Sequence, residues 1–220
     1  MVRRQQSEDG TVKLVLRLHD RREIESVFIP DTPAQTFCVS TQVGCAMGCA
    51  FCLTGKMGLI RHLDAGEIAG QVRVLARELD MLGTSFNIVL MGMGEPLHNY
   101  DQTMKALRIL TDAQGLALNP RRITLSTVGL VPMLDRLAAE PVMPNLAISL
   151  HATSEDQRAS LVPSTRRSRC RTSSTPAAAS RWPGAAALPL NTSSSTASTT
   201  PPTTPSARPG CWPASRPRST

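Results

Sequence analysis

The 220-residue sequence lacks any run of about 18 consecutive apolar residues, the length that a membrane-spanning helix needs. The N-terminus, MVRRQQSEDG, has a basic start but no apolar core after it, so no secretory signal is predicted there. We therefore expect a cytoplasmic protein without a membrane partner. In a reducing compartment its cysteines would serve metal binding or catalysis rather than disulfides.

The C-terminal quarter lacks acidic residues. From Thr165 to Thr220 there are 8 Arg and no Lys, Asp or Glu. The preceding residues hold 16 basic and 17 acidic side chains, so the formal net charge of +7 belongs to this tail alone. The basic charge is therefore weak evidence for nucleic-acid binding by the rest of the chain.

The same tail also lacks the residues that build a core. From Arg166 onward it contains no Ile, Val, Phe, Tyr, Met, Gln or His. This composition predicts a disordered low-complexity segment over residues 164–220. A natural linker is one interpretation, and a shifted reading frame in a GC-rich gene is the other.

Up to Pro163 the sequence alternates between predicted strands and helices. Residues 12–18 and 23–29 predict a β-hairpin, and residues 36–43 predict a strand that runs into a cysteine-rich loop. Four helices follow, the first with an Asp64 cap, and short apolar strands separate them. Repeated βα units predict an α/β core over 36–163 with a parallel sheet, open or closed into a barrel, after a β extension over 1–35.

Four of the six cysteines lie between Cys38 and Cys52. Cys45, Cys49 and Cys52 have C-x3-C-x2-C spacing, which lets each of three thiolates bind a different iron of a cubane cluster and leaves the fourth iron open. A tetrahedral zinc site needs four ligands, and no second pair lies in the core. The spacing, with Phe51 before the last cysteine, is typical of the radical S-adenosylmethionine superfamily. A zinc knuckle and buried structural cysteines are the alternatives.

Three polar turns follow predicted strands: GMGEP (92–96), STVGLVP (126–132) and SLHAT (149–153). Each turn alone is weak evidence, because Gly-rich turns are common and a Ser or His at a strand end often caps or packs. Three such turns beside one cysteine triplet favour a cofactor site at the ends of the strands.

Longer stretches resemble one family within that superfamily. CVSTQVGCAMGCAFCLTGKMGL, GMGEPLHNYD, RRITLSTVGLVP and NLAISLHATSEDQRASLVP are similar to the bacterial enzymes that methylate C2 of adenine in 23S rRNA and tRNA. The resemblance covers about Asp9 to Pro163. It implies a partial radical SAM (β/α)6 barrel with about four βα units. It also implies a [4Fe-4S] cluster and S-adenosylmethionine as cofactors, and 23S rRNA and tRNA as partners. It further implies a reducing electron donor such as flavodoxin, and a monomer.

The resemblance also implies roles for individual residues. Cys45, Cys49 and Cys52 would ligate the cluster. Cys38 would be a catalytic thiol that resolves a covalent protein–RNA adduct, and Glu25 would accept the proton from adenine C2. The residues that would contact S-adenosylmethionine are Gly94, Glu95, Ser126, Ser149, Leu150 and His151. Without the family, Cys38 would be interpreted as a buried strand cysteine and Glu25 as a surface carboxylate.

The family mechanism needs one further cysteine, which carries a methyl group from the first of two S-adenosylmethionine molecules. Neither Cys170 nor Cys211 lies in sequence that matches it, so we expect no complete methyl transfer by this chain. Relatives have FEYVLLDGVND at about the position of Asn191–Pro205. Suitably chosen codons for that segment, shifted by one base, encode EYVLLDGVND, which favours a frameshift at or just after Pro163.

Other functions stay open on the sequence alone. A close relative of the family methylates C8 of adenine, and other radical enzymes, such as activases, share the cysteine spacing. A non-catalytic metal-binding fragment with a basic tail is the alternative from a different class. Four of an expected six βα units cannot close a barrel, so we expect low stability for the isolated chain.

Overall fold

The computed structural model describes residues 1–30 and 34–164, together with the backbone of 168–170 and 213–215. Within these residues the strands are β1 (Arg3–Gln6), β2 (Val12–Arg17), β3 (Glu23–Ile29), β4 (Thr36–Cys38), β5 (Gln42–Gly44), β6 (Leu59–His62), β7 (Asn87–Leu90), β8 (Ile123–Thr127), β9 (Asn145–Ile148), β10 (Ser168–Cys170) and β11 (Pro213–Ser215). The helices are α1 (Leu53–Lys56), α2 (Ala65–Glu78), α3 (Tyr100–Thr111), α4 (Val131–Ala138) and α5 (Glu155–Leu161).

Seven strands form one mixed sheet in the order β1-β2-β3-β4-β7-β8-β9. Strands β1 to β4 pair in antiparallel fashion, whereas β4, β7, β8 and β9 pair in parallel. Helices α2, α3, α4 and α5 follow the four parallel strands in turn, which confirms the four predicted βα units. The predicted hairpin is β2–β3. Strand β1 was missed, because its sequence, RRQQ, is polar and does not alternate.

The single strand predicted over residues 36–43 is wrong. Strand β4 ends at Cys38, and β5 begins at Gln42 and pairs with β6 in a separate two-stranded sheet. The cause is Ser40, whose hydroxyl donates to the Glu25 carbonyl at 2.6 Å and accepts from the Met93 amide at 2.9 Å. These bonds divert the chain away from the large sheet and toward the cysteine loop.

Helix α2 begins where its cap was predicted. Asp64 Oδ1 accepts from the Glu67 amide at 2.7 Å, and the Glu67 carboxylate accepts from the Asp64 amide at 3.0 Å, which completes a capping box. Ile68, Val72 and Leu75 are fully buried at helical spacing. The helix therefore presents one apolar stripe to the core.

The apolar core lies on one face of the large sheet. Alternate strand residues point to this covered face, and each is at most 9% exposed: Ile24, Phe28, Phe37, Ile88, Leu90, Ile123 and Leu125. The Phe37 ring packs 4.3 Å from that of Phe86 and 5.9 Å from that of Phe28. The intervening residues of β3, β4, β7 and β8 point to the opposite face, which we call the open face because most of them are partly exposed.

The predicted boundary at residue 35 does not separate two sheets, since β3 pairs with β4 across it. That division stays a prediction. The predicted disordered, out-of-frame tail over 164–220 lies outside the described residues, apart from Ser164 and the antiparallel pair β10–β11. Among the described residues, no helix combines the length and the hydropathy that crossing a bilayer requires.

Candidate active site

Strand register brings Glu25, Cys38 and Ser126 onto the open face. Glu25 and Val27 are two residues apart in β3 and therefore point the same way. Val27 pairs with Cys38, and Cys38 pairs with Val89 of β7. Val89 in turn pairs with the residue two positions before Ser126 in β8. The predicted proton acceptor, the predicted catalytic thiol and one predicted cofactor contact thus share a single surface.

The two predicted catalytic groups differ in exposure. Glu25 is exposed, and its carboxylate lies 2.9 Å from the Lys13 ammonium group. Cys38 is half-buried, and burial raises the pKa of its thiol to about 11. At neutral pH the Cys38 side chain is therefore a neutral thiol, which becomes a nucleophile only after it loses its proton.

The cysteine triplet converges on one apolar cluster. Cys45 and Cys49 are buried, Cys52 is partly buried, and all three are free thiols. They pack with Met47 and Val162, which is the residue after α5. The three thiols of the cysteine loop therefore lie in one cluster.

Close backbone contacts hold the cysteine loop in place. Gly44 has a φ of +76°, and a Cβ added to it would lie 1.9 Å from the Gly58 carbonyl oxygen, so only glycine fits there. The Cys45 amide donates to the Gly58 carbonyl at 3.0 Å, and the Ala50 amide donates to the Leu161 carbonyl of α5 at 2.9 Å. The loop is thus fixed both to the strand that follows it and to α5.

Burial favours the protonated form of two thiols of this loop, Cys45 and Cys49. It raises the pKa of Cys45 to about 11, and it raises the pKa of Cys49 as well; the nearby Glu95 carboxylate adds to both shifts. Thiolates, not thiols, bind metals, so metal binding at this loop must release protons.

The cysteine loop supplies three soft sulfur donors. Within residues 1–30 and 34–164, no group of three or more His, Cys, Asp or Glu side chains is arranged to hold a metal ion. A structural zinc ion would need four ligands at about 2.0–2.3 Å. Thiolates are the donors that iron–sulfur clusters use, so it is the chemistry of the three thiols, not their arrangement here, that fits such a cluster.

Hydrogen bonds of Glu95 stabilise the turn after β7. Gly94 has a φ of +106°, and a Cβ added to it would lie 2.6 Å from Cβ of Gln42. The Glu95 amide donates to Gln42 Oε1 at 2.9 Å. The Glu95 carboxylate, only 3% exposed, accepts from the amides of Leu97 and Val128 at 3.0 and 2.9 Å. Burial raises the pKa of Glu95 in spite of these bonds. The carboxylate thus joins the turns after β7 and β8.

The remaining predicted contacts lie where β8 and β9 end. The hydroxyls of Ser126 and Ser149 are 3.3 Å apart. Leu150 is 44% exposed, and His151 has a φ of +56°, a left-handed conformation that is uncommon outside glycine. The His151 ring packs 4.5 Å from that of Phe51 in the cysteine loop. This contact brings the cysteine loop and the turn after β9 together.

Sequence reasoning missed Arg158, Gln42 and Gln71. Arg158 is buried and donates to backbone carbonyls in the turns after β8 and β9. Gln42 binds Glu95, and Gln71 binds Ser40. Gln42 and Arg158 lie within the stretches that resemble the family, but a single sequence does not show their role, because each acts on backbone groups that only the fold brings within reach.

Comparison with known proteins then decides the family. The family model of the Radical SAM superfamily matches residues 39–177. This segment is more than half of the chain and contains the cysteine triplet and every predicted cofactor contact. The chain belongs to the radical SAM superfamily. Glu25 and Cys38 lie just before the matched segment, and the match continues beyond the predicted boundary at Pro163.

Relatives within this radical SAM superfamily are similar over most of the chain. A protein of Myxococcus xanthus, dual-specificity RNA methyltransferase RlmN 1, is 56% identical over 163 residues, which are 73% of this chain and 45% of the relative. A dual-specificity RNA methyltransferase RlmN of Syntrophobacter fumaroxidans is 50% identical, over 74% of this chain and 47% of the relative. The chain thus spans about half the length of these relatives.

A solved structure supports the same assignment. The crystal structure of a radical SAM methyltransferase from Sphaerobacter thermophilus superimposes with a TM-score of 0.72 at 52% identity, over 76% of this chain and 49% of the other. The prediction of a partial radical SAM barrel with about four βα units, preceded by a β extension, is therefore confirmed; the structure adds that both parts share one mixed sheet.

Proposed function

We propose that this radical SAM chain carries the cofactor-binding and base-binding surfaces of an RNA methyltransferase that acts on C2 of adenine in 23S rRNA and tRNA. The relatives named above are RNA methyltransferases by name. The observation that carries the proposal is the open face, where Glu25, Cys38 and Ser126 lie in register beside the turns that follow the parallel strands. Methylation of C8 would use the same surfaces and is distinguished by the product.

The cysteine loop is proposed to hold a [4Fe-4S] cluster through Cys45, Cys49 and Cys52. When bound, the cluster and S-adenosylmethionine would supply a carbon-centred radical by one-electron cleavage of the sulfonium. The chain's own part is to exclude water from the loop by packing Met47 and Val162 against the thiols, and to hold the turns after β7, β8 and β9 in place.

The turns are proposed to bind S-adenosylmethionine through Gly94, Glu95, Ser126, Ser149, Leu150 and His151. The carboxylate of Glu95 is already bonded to two amides, so we expect it to shape the turn, which leaves backbone groups to face the ligand. The paired hydroxyls of Ser126 and Ser149 can each accept and donate, which suits a polar ligand at the strand ends.

The open face is proposed to bind the adenine base. Diagonal neighbours on adjacent strands have Cβ atoms about 7–8 Å apart, so one flat base can contact both Glu25 and Cys38. The Glu25 carboxylate, 2.9 Å from the Lys13 ammonium group, is the group proposed to accept the proton from C2. Cys38 is the thiol proposed to resolve the covalent protein–RNA adduct of the family mechanism, and it must lose its proton before it can act as a nucleophile.

The proposal includes the reagents that the family uses. Two S-adenosylmethionine molecules would be consumed for each methyl group, and an electron donor such as flavodoxin would reduce the cluster in the cytoplasm. We propose a monomer. We further propose that a polypeptide with this sequence cleaves S-adenosylmethionine without completing methyl transfer, because neither Cys170 nor Cys211 lies in sequence that matches the methyl-carrying cysteine.

The test uses the 220-residue protein, reconstituted anaerobically with iron and sulfide and reduced with dithionite. We expect 5′-deoxyadenosine from the unmodified protein and from Cys38→Ala, and none above background from Cys45→Ala. Mass spectrometry of 23S rRNA fragments and tRNA added to the reaction should show no 2-methyladenine. Absence of 5′-deoxyadenosine above the Cys45→Ala control would overturn the proposed radical chemistry. A methylated adenine in the added RNA would overturn the proposal that methyl transfer is not completed, and its position, C2 or C8, would identify the reaction.

A further inference from the structure

Arg158 is a buried arginine that reaches three backbone carbonyl groups of the proposed cofactor site. It lies on α5 and is 8% exposed. Its Nη1 donates to the carbonyls of Ser149 and Leu150 at 3.0 and 2.6 Å, and its Nη2 donates to the carbonyl of Val128. Burying a guanidinium group is costly unless it is well bonded, and these carbonyls supply the bonding.

Arg158 lies one helical turn before Val162, the residue that packs against the cysteine loop. The Val162 amide donates to the Arg158 carbonyl at 2.8 Å, and the Val162 side chain packs with Cys45 and Cys49. The buried guanidinium group of Arg158 therefore lies on the helix whose end packs against two of the proposed cluster ligands.

Two buried side chains hold Val128 in the turn after β8. The Val128 amide donates to the Glu95 carboxyl group at 2.9 Å, and the Val128 carbonyl accepts from the Arg158 guanidinium. Glu95 is 3% exposed and Arg158 is 8% exposed. Hydrogen bonds therefore fix this turn from two sides. Arg158 also donates to the backbone of the turn after β9.

We propose that Arg158 is a positioning residue for S-adenosylmethionine: it orients the turns at Val128, Ser149 and Leu150 toward the cysteine loop and places a positive charge on the helix that packs against that loop. This inference rests on the proposed function. A fixed positive charge in a site of low dielectric stabilises the more negative, reduced form of an iron–sulfur cluster. Arg158 thereby also makes the cluster easier to reduce.

The experiment compares Arg158→Met and Arg158→Lys with Arg61→Met. Arg61 is a matched control, because it also makes several bonds, to Asp20, Glu67 and the His62 carbonyl, but on the strand beyond the cysteine loop. In the reconstituted 220-residue protein we measure the KM for S-adenosylmethionine in 5′-deoxyadenosine formation. Electron paramagnetic resonance during a redox titration gives the reduction potential of the cluster.

We expect Arg158→Met to raise this KM about tenfold or more, since charge-assisted hydrogen bonds to two turns are lost, and to make the potential more negative. Arg158→Lys keeps the charge but not the planar fork of donors, so it should raise the KM while its potential stays near that of the unmodified protein. Arg61→Met should change neither quantity.

The outcomes separate this inference from the function on which it rests. If the unmodified protein holds no iron and sulfide, the proposed function fails, and this inference fails with it. If the protein holds a cluster and the Arg158→Met protein has an unchanged KM and potential, the inference alone is overturned. Should Arg158→Met fail to fold, Arg158→Lys decides: an unchanged KM overturns the inference. Equal shifts in Arg61→Met also overturn it, since they would reveal a general loss of structure.

Discussion

Phe37 and Cys38 are neighbours in β4, yet they lie on opposite faces of the large sheet and have different surroundings. Phe37 is fully buried on the covered face, between the rings of Phe28 and Phe86. Cys38 is half-buried on the open face that also carries Glu25. A shift of one residue in β4 would exchange the two. The covered face thus fixes the register that presents reactive groups on the other face.

The covered face also holds polar groups, but there they are bonded to one another. Gln71 of α2 accepts from the Ser26 hydroxyl and the Ser40 amide at 2.9 and 2.8 Å and donates to the Ser40 carbonyl at 2.8 Å. Ser40 in turn holds the carbonyl of Glu25. Both faces therefore carry polar groups. Those on the covered face hydrogen-bond to one another, whereas those on the open face are accessible.

The largest expected effect on stability comes from Phe37→Ala. Truncating a fully buried aromatic side chain removes apolar burial and leaves a cavity, so we expect a loss of about 3–5 kcal/mol in the free energy of unfolding. Cys38→Ala, one residue away, should lose less than about 1 kcal/mol. Urea unfolding of the metal-free protein followed by circular dichroism measures both. Equal losses would contradict the distinction between the faces.

A smaller loss is expected from Gln71→Leu. The Ser40 amide and the Ser26 hydroxyl would lose their bonds inside the core, which should lower the free energy of unfolding by about 2–3 kcal/mol. The matched control is Gln102→Leu, which removes a single bond, from the Ala65 amide, and should cost about 1 kcal/mol. The same urea titrations apply. A Gln71→Leu protein as stable as the control would show that this network does not hold α2 to the sheet.

The smallest expected effect is the pH-dependent contribution of Arg61, which bonds to Asp20 and Glu67. Arg61 holds the pKa of Glu67 below 4.5 and that of Asp20 at about 2. Carboxyl groups with lowered pKa values stabilise the fold above their unfolded values and lose that effect as they are protonated. Arg61→Met should therefore lower the free energy of unfolding at pH 7, and by less than Gln71→Leu does.

This difference between Arg61→Met and the unmodified protein should be constant above about pH 5 and should shrink as pH falls from about 4.5 toward 2. Urea unfolding at a series of pH values measures it, with Arg17→Met as control because its partner, Glu23, is more exposed. A difference that grows on acidification would have the wrong sign for this network.

The sequence predicted those elements whose signals are local. The Asp64 cap, the apolar spacing of Ile68, Val72 and Leu75, and the hairpin of β2 and β3 are read from neighbouring residues, and the structure confirms each of them. The cysteine triplet was equally local. The parallel sheet followed from the repeated βα pattern, since helices that follow short apolar strands leave few other arrangements.

The parts that were missed depend on contacts between distant residues. The break between β4 and β5 follows from the bonds of Ser40 to Glu25 and Met93, which lie 15 and 53 positions away. Arg158 bonds to a carbonyl 30 positions earlier. Nothing in the local sequence distinguishes these side chains from exposed polar residues. The roles of Glu25 and Cys38 stay predictions, supported by the face that they share.

The central claim is that the three thiols of the cysteine loop bind a [4Fe-4S] cluster, whereas Cys38 on the open face does not. Mössbauer spectroscopy of protein reconstituted anaerobically with 57Fe tests it most directly. The account predicts a [4Fe-4S] spectrum for the unmodified protein and for Cys38→Ala, and its loss in Cys45→Ala. An unmodified protein that takes up stoichiometric zinc but neither iron nor sulfide would contradict it.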